Sequence, residues 1–196
     1  MGGQKSKKNR VVIVSGPSGV GKSTICRGVV KRLNNICVSV SVTTRPKAES
    51  ELEGRDYYFI SKEQFQQRIN QGLLLEYAEV FGHLYGTPKD KVDEALQAGK
   101  TIILEIDVQG AKQVKTIYPN AVMIFIFPPT QRELAERMNR RGRENAEAAE
   151  KRLGEADDEI AAAWQYYRHM VINDNLDQAV NEVVQIIQQN TGDKQC

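Results

Sequence analysis

A glycine-rich stretch near the start of the chain carries the strongest chemical signal in the sequence. Its glycines let the backbone curl around an anion, with N–H groups pointing inward. Its lysine can contact outer phosphate groups, and its serine hydroxyl is a suitable ligand for Mg²⁺. The stretch therefore predicts a phosphate-binding P-loop, made of Gly16, Pro17, Ser18, Gly19, Val20, Gly21, Lys22, Ser23 and Thr24.

The flanking residues favour this interpretation over a glycine-rich turn with a surface lysine. The short apolar run from Val11 to Val14 predicts a strand before the loop, and the residues from Lys22 to about Leu33 predict a helix after it. A helix in that position places the positive end of its dipole beneath bound phosphates.

Two acids lie at the end of another predicted strand. Residues Thr101 to Asp107 predict a buried parallel strand, and open α/β sheets bind ligands at the carboxyl ends of such strands. Glu105 and Asp107 share a face, because strand side chains repeat every two residues. Both are candidates for ligand contacts.

Composition limits the fold and the partners. A chain of 196 residues can bury one substantial core with a small inserted lobe. The 27 Lys and Arg residues nearly balance 25 Asp and Glu residues, so charge gives no case for nucleic-acid binding. Cys26, Cys37 and Cys196 are scattered and suggest neither a disulfide framework nor a zinc site.

The sequence predicts no membrane span and a cytoplasmic location. The longest strongly apolar run, Ala121 to Phe127, is far shorter than the roughly 20 residues that cross a bilayer. Residues 1–10 predict a disordered basic tail, and residues 191–196 a flexible one. Gly2 and Ser6 match a loose myristoylation pattern, which is too short to displace the simpler interpretation.

The order of predicted elements is that of an α/β fold. Further strands are predicted at Ile36 to Val42, Tyr57 to Ile60, Leu73 to Val80, His83 to Tyr85, Ala121 to Phe127 and Met170 to Ile172. Further helices are predicted from a Ser61/Gln64 capping box to Gly72, and at Lys89 to Ala98, Gly110 to Ile117, Thr130 to Arg141, Glu144 to about Tyr167 and Leu176 to Gln189. This alternation predicts a mostly parallel sheet flanked by helices, with a small inserted lobe.

Several short motifs occur in a characteristic order between about Val11 and Gln189. They are Gly-Pro-Ser-Gly-Val-Gly-Lys-Ser-Thr at 16–24, Ser-Val-Thr-Thr-Arg at 41–45, Gly-Arg-Asp-Tyr-Tyr-Phe at 54–59, Leu-Leu-Glu-Tyr at 74–77, Tyr-Gly-Thr at 85–87, Leu-Glu-Ile-Asp-Val-Gln-Gly at 104–110 and Asn-Asp-Asn-Leu-Asp at 173–177. Together they resemble guanylate kinase, a family of P-loop nucleoside monophosphate kinases.

The resemblance implies a domain at 11–190 with three parts. The P-loop NTPase-type core would comprise 11–44, 86–136 and 153–190, the inserted GMP-binding lobe 45–85, and the helical lid 137–152. It also implies transfer of the γ-phosphoryl group of MgATP to GMP, and to dGMP, giving ADP and GDP in purine nucleotide metabolism. Mg²⁺ is then the expected cofactor and the nucleotides are the expected partners. The oligomeric state stays open.

The resemblance also assigns site residues. The ATP site would comprise the P-loop residues 16–24 and, near adenine, Asn173, with Ser23 ligating Mg²⁺. Arg45, Tyr57 and Tyr85 would hold the GMP phosphate. The guanine would be surrounded by Ser41, Glu76, Thr87 and Asp107. The expected catalytic residues are Lys22, Arg45, Arg137, Arg141 and Arg152, the last three closing with the lid.

The chemistry of guanine supports the assignment of Glu76. Guanine presents two neighbouring donors, N1–H and the 2-amino group, which one carboxylate can accept together. Adenine presents an acceptor at N1 and would leave the carboxylate unpaired, which is a strong basis for rejection. A solvated carboxylate on a strand is the alternative.

The expected reaction needs no catalytic base. The second pKa of a phosphomonoester is about 6, so the acceptor is already largely ionised near neutral pH. Catalysis would come from positioning and charge neutralisation, with Lys22 on the β- and γ-phosphates. Glu105 either acts on the metal through water or is a charge at the end of a strand.

The sequence departs from the family pattern at Ala48. The family usually carries a second phosphate-binding arginine there, three residues after Arg45. Lys47 either substitutes as a point charge or is a solvated loop lysine. Because a lysine cannot reproduce the bidentate fork of an arginine, either GMP binds more weakly or another cation contributes.

Two other functions compete with this one. Guanylate kinase-like interaction domains bind peptides without catalysis, and the loss at Ala48 favours that alternative. The intact P-loop, Arg45 and the lid arginines argue against it. A P-loop kinase for a different nucleotide is the second alternative, and the set of Glu76, Thr87 and Asp107 favours guanine instead.

Overall fold

The computed structural model describes residues 10–140, residue 154 and residues 159–193, with side chains omitted at 139 and 140. Most of the two predicted tails and most of the predicted lid lie outside these residues. Thr191, which was assigned to the flexible C-terminal tail, is buried at the end of a helix. Within the described part of the chain, no helix is long and apolar enough to cross a membrane.

The strands of the described residues form two sheets. Their bounds are β1 Val11–Ser15, β2 Ile36–Val38, β3 Val42–Thr43, β4 Tyr58–Phe59, β5 Leu74–Val80, β6 His83–Pro88, β7 Thr101–Glu105, β8 Val122–Phe127 and β9 His169–Ile172. A parallel sheet of five strands has the order β2, β7, β1, β8, β9, and a second sheet of four strands has the order β4, β3, β6, β5.

The helices of the described residues are α1 Lys22–Val30, α2 Lys62–Asn70, α3 Lys89–Gln97, α4 Val108–Ile117, α5 Gln131–Arg140, helical residues at 159–166 (α6) and α7 Leu176–Thr191. Most of them lie between strands of the parallel sheet in chain order, whereas α2 lies between β4 and β5 of the second sheet. Helix α2 starts with the predicted capping box, in which Ser61 Oγ accepts from the Gln64 amide and Gln64 Oε1 accepts from the Ser61 amide. The α/β prediction is confirmed.

The parallel sheet is covered on both faces. Alternate residues of β1 point to opposite sides, so Val12 and Val14 pack with α1 and α7, whereas Val11 and Ile13 pack with α3 and α4. All four are buried, as expected for a central parallel strand. The strand that precedes the P-loop is thereby fixed in the middle of the core.

The single strand predicted from Ile36 to Val42 is wrong. The chain makes its last parallel-sheet contact where the Ser39 amide donates to the Ile103 carbonyl at 2.9 Å, and it then enters the second sheet at Val42, opposite Gly86. Both halves have the same valine-rich composition, so strand propensity cannot tell which sheet each half joins.

The strand predicted over Thr101 to Asp107 is two residues too long. It ends at Glu105 because the side chain of Asp107 caps α4, where its Oδ1 accepts from the Gly110 amide at 2.8 Å. Helix α4 consequently begins at Val108 rather than at Gly110. This cap fixes the position of the Asp107 carboxylate, which was expected to contact a ligand.

Candidate active site

The P-loop connects the buried strand β1 to helix α1. Gly16, Gly19 and Gly21 have φ angles of 146°, 85° and 103°, which residues with a side chain rarely adopt. The amine of Lys22 donates to the Gly16 carbonyl and, at 3.1 Å, to the Pro17 carbonyl. The loop is therefore wrapped around the amine at the start of α1.

Close contacts from the core hold the loop in this shape. The side-chain amide of Asn173 donates to the Val20 carbonyl at 2.7 Å, and a Cβ on Gly21 would collide with the same amide. A Cβ on Gly16 would collide with the carbonyl of Ile126 on β8. The glycines are thus required by packing as well as by backbone conformation.

The loop also supplies oxygen ligands that fit Mg²⁺. Ser23 Oγ donates to Glu105 Oε1 at 2.7 Å, so a hydroxyl and a carboxylate meet at the carboxyl end of β7. Mg²⁺ usually takes one or two protein oxygens and completes its shell with phosphate and water, so these two oxygens fit a Mg²⁺ site.

In the described part of the chain, a large cleft runs from the P-loop to the second sheet. Its volume is about 1080 Å³. It gathers most of the residues predicted from the sequence, namely Gly16, Ser18, Gly19, Gly21, Lys22, Ser23, Thr24, Ser41, Arg45, Tyr57, Glu76, Tyr85 and Asp107.

The far end of the cleft is built around a buried carboxylate. Glu76 is only 4% exposed, and Thr87, opposite it on β6, donates from its hydroxyl to Glu76 Oε1 at 2.6 Å. A Cβ on Gly110 would overlap Glu76 Oε2 and approach Asp107 Oδ1 to 3.2 Å. The glycine therefore allows two carboxylates to lie next to one helix turn.

Burial makes these carboxylates hold their protons more tightly than usual. It raises the pKa of Glu76 to about 7, with the nearby Asp107 charge as a further cause and the Thr87 hydrogen bond opposing it. Burial also raises the pKa of Asp107, against the hydrogen bond from the Gly110 amide. A ligand that donates two hydrogen bonds to Glu76 would favour its ionised form.

A second part of the cleft combines an arginine with two tyrosines. Arg45 donates to Glu51 Oε1 at 2.7 Å, and its guanidinium lies 5.5 Å from the centre of the Tyr57 ring. The rings of Tyr57 and Tyr85 meet edge to face with centroids 5.8 Å apart. Burial raises the pKa of Tyr57, so its hydroxyl stays protonated and can donate to an anion.

Some predicted site residues do not line the cleft. Pro17, Val20, Thr87, Arg137 and Asn173 are not among its lining residues. Thr87 reaches it through Glu76, and Arg137 donates from both terminal nitrogens to the Asn173 carbonyl at 3.1 Å. Arg141 and Arg152 lie outside the described residues.

Sequence reasoning missed two contributions. Glu51 holds the loop around Ala48, because its Oε2 accepts from the Ala48 amide at 2.9 Å while its Oε1 pairs with Arg45. Gly110 is the last residue of the motif at 104–110, but the motif gives no sign that this glycine makes room for Glu76. Neither role has a local sequence signal, because each depends on a residue brought close by the fold.

The fold and the site define a P-loop kinase-type protein. A parallel sheet carries a phosphate loop at the carboxyl end of its central strand, and the cleft extends from that loop to a second sheet. A gluconokinase from Sinorhizobium meliloti has the same overall fold, with a TM-score of 0.50 at 13% identity over 95% of this chain and 96% of that one.

Closer similarities identify the family. The model of the guanylate kinase family matches residues 8–190, so the chain belongs to the guanylate kinase family. Guanylate kinase from Carboxydothermus hydrogenoformans is 46% identical over 92% of this chain and 88% of that protein. Guanylate kinase from Synechocystis sp. is 43% identical over 94% and 96%. A crystal structure of guanylate kinase from Anaplasma phagocytophilum has a TM-score of 0.78 and 31% identity, over 94% and 88%.

Proposed function

We propose that this chain is an ATP:GMP phosphotransferase that transfers the γ-phosphoryl group of MgATP to GMP, giving ADP and GDP. Family membership supports the reaction. The observation that carries the choice of acceptor is the buried carboxylate of Glu76, which lines the same cleft as the P-loop and accepts a hydrogen bond from Thr87. A guanine base satisfies this carboxylate, and an adenine base does not.

The core end of the cleft binds the donor. The P-loop amides and Lys22 would hold the phosphates of ATP, and Ser23 and Glu105, which are hydrogen-bonded to each other, would hold the accompanying Mg²⁺. Bound Mg²⁺ supplies charge neutralisation at the phosphate oxygens. Asn173 keeps the loop in shape from behind, and Arg137 approaches the same segment through the Asn173 carbonyl.

The second sheet binds the acceptor. Arg45, Tyr57 and Tyr85 hold the phosphate of GMP, whereas Ser41, Glu76 and Asp107 face the guanine. Thr87 acts through Glu76 and keeps one carboxylate oxygen in place. We assign residues 45–85 to the lobe and residues 137–152 to the lid. The core comprises residues 11–44, 86–136 and 153–190. The same lobe would accept dGMP.

This arrangement performs the chemistry by positioning. The acceptor phosphate is already ionised, so the chain needs to align the two phosphates and neutralise their charge rather than remove a proton. Lys22 would stabilise the transferring group. The same role is proposed for the lid arginines Arg141 and Arg152, which lie outside the described residues.

An acceptor panel tests this function. ADP formation from MgATP is measured with GMP, dGMP, AMP, CMP and UMP, for the wild type and Glu76→Gln. We expect activity confined to the guanine acceptors, and a loss of GMP preference of about 10²-fold or more in the variant, because the carboxylate can no longer accept both donors. Equal activity with AMP in the wild type would overturn the assignment.

A further inference from the structure

Two arginines of the cleft, Arg27 and Arg55, have no role in the function proposed above. Arg27 is on α1, four residues after Ser23, and therefore lies on the same face of the helix. Arg55 belongs to the loop that leads into β4, two residues before Tyr57. Both arginines line the cleft.

Asp56 holds the two arginines side by side. Its Oδ1 accepts from Arg27 Nη2, and its Oδ2 accepts from Nε and Nη2 of Arg55 at 3.0 and 2.7 Å. The carboxylate is 10% exposed, whereas the arginine side chains are 57% and 55% exposed. Since a guanidinium carries five N–H donors, both arginines keep donors for an anion in the cleft.

The neighbouring phosphate site is short of positive charge. Arg45 is paired with Glu51, so its guanidinium brings little net charge to a phosphate beside Tyr57. Ala48 is neutral, and Lys47 is exposed and outside the cleft lining. An acceptor dianion must nevertheless approach the polyphosphate held by the P-loop, and charge repulsion opposes this approach.

We propose that Arg27 and Arg55, positioned by Asp56, bind the phosphate of the acceptor nucleotide and supply the charge that is absent at position 48. With Arg45 included, three guanidinium groups then face the two carboxylates of Glu51 and Asp56, which leaves a net positive site. Arg27 belongs to the core and Arg55 to the lobe, so a bound phosphate would contact both parts of the chain. The inference rests on the proposed function, because it names further cations of the same acceptor site.

The test compares binding of GMP and guanosine by calorimetry. Guanosine has the same base and ribose but no phosphate. The proteins are the wild type, Arg27→Gln, Arg55→Gln and the double variant; glutamine keeps hydrogen-bonding capacity and removes the charge. We expect each single substitution to weaken GMP binding about tenfold, as for loss of one charge-assisted hydrogen bond, with guanosine binding unchanged.

Arg32→Gln is the matched control. Arg32 also pairs with a carboxylate, Asp177 at 2.8 Å, but outside the cleft, and its loss should leave both affinities unchanged. Ala48→Arg in the double variant should recover GMP affinity. Unchanged GMP binding in the double variant, or equal weakening of GMP and guanosine, would overturn the inference.

The outcome is separable from that of the proposed function. Phosphoryl transfer to GMP is assayed on the same wild-type protein. Transfer with unaltered GMP binding in the variants would overturn the arginine assignment alone. The expected binding pattern without any transfer would instead contradict the proposed reaction and leave the phosphate site in place.

Discussion

We propose that guanine selection depends above all on the carboxylate of Glu76. The group must be ionised to accept two donors, yet burial raises its pKa to about 7 and makes ionisation costly in the free protein. Thr87 satisfies one oxygen, and the guanine edge would satisfy the carboxylate further. Base recognition is therefore coupled to proton release.

This coupling predicts a pH dependence of guanosine binding. Affinity should rise as the pH increases through about 7, because the ionised carboxylate is the binding form. Guanosine is the probe because it lacks the phosphate, whose own ionisation near pH 6 would complicate a profile with GMP. Calorimetry between pH 5.5 and 8.5 measures the effect. Glu76→Gln should give a flat profile, and an equally steep profile in that variant would contradict the role of Glu76.

The stability of the ligand-free protein should change in the opposite direction. The folded-state pKa of Glu76 is raised, so its stabilising effect is full below the ordinary value of 4.5 and is lost as the pH rises through about 7. The wild type should therefore lose up to about 3 kcal/mol relative to Glu76→Gln between these pH values. Urea unfolding at a series of pH values measures this difference, and a difference that grows in favour of the wild type would contradict the sign.

Gly110 provides a second test at the residue level. Gly110→Ala places a methyl group on Glu76 Oε2 and forces the carboxylate to move. We expect the KM for GMP to rise by on the order of 10², the effect of a displacement near 1 Å, while the KM for ATP stays unchanged. Thr116→Ala, at an exposed position of the same helix, is the control and should leave both constants unaltered. A normal GMP KM in Gly110→Ala would show that the carboxylate does not need this position.

At the level of elements, the segment between β9 and α7 supports the P-loop. Asn173 belongs to this segment and is far from the P-loop in the sequence, but its side-chain amide donates a hydrogen bond to the Val20 carbonyl of the loop. Its amide is buried, so its removal leaves a carbonyl without its partner. The shape of the loop therefore depends on an element that is distant in the sequence.

Asn173→Ala should loosen the loop. We expect a loss of about 1–3 kcal/mol in the free energy of unfolding and a raised KM for ATP, with GMP binding unchanged. Asn175→Ala is the matched control on the same segment, because it removes the cap of α7, where Asn175 Oδ1 accepts from the Gln178 amide at 3.1 Å. That variant should lose about 1 kcal/mol without altering the KM for ATP. Equal changes in the KM for ATP would contradict a specific role for Asn173.

The elements that the sequence predicted well have local signals. The capping box at Ser61 and Gln64, the strand before the P-loop and the helix after it depend on neighbouring residues, and the structure places them as expected. The division of Ile36 to Val42 between two sheets was not predictable, because both halves favour a strand and only their partners differ. Strand partners depend on the whole topology.

At the scale of the whole molecule, the sequence predicted the α/β fold, and the structure brings most of the expected site residues to one cleft. The motifs did not indicate that Thr87 would act from behind Glu76, or that Arg27 and Arg55 would meet at Asp56. These arrangements join residues from separate elements, and side-chain direction decides them. Sequence spacing describes one element at a time and contains no such information.

The most direct measurement follows the phosphoryl group itself. ATP labelled in its γ-phosphate is incubated with Mg²⁺, GMP and the wild-type protein, and the products are separated by chromatography. The label should appear in GDP, in step with ADP formation, and Lys22→Ala should reduce this transfer by on the order of 10². Release of the label as inorganic phosphate, or its retention in ATP with GMP bound, would contradict the assignment of this chain as an ATP:GMP phosphotransferase.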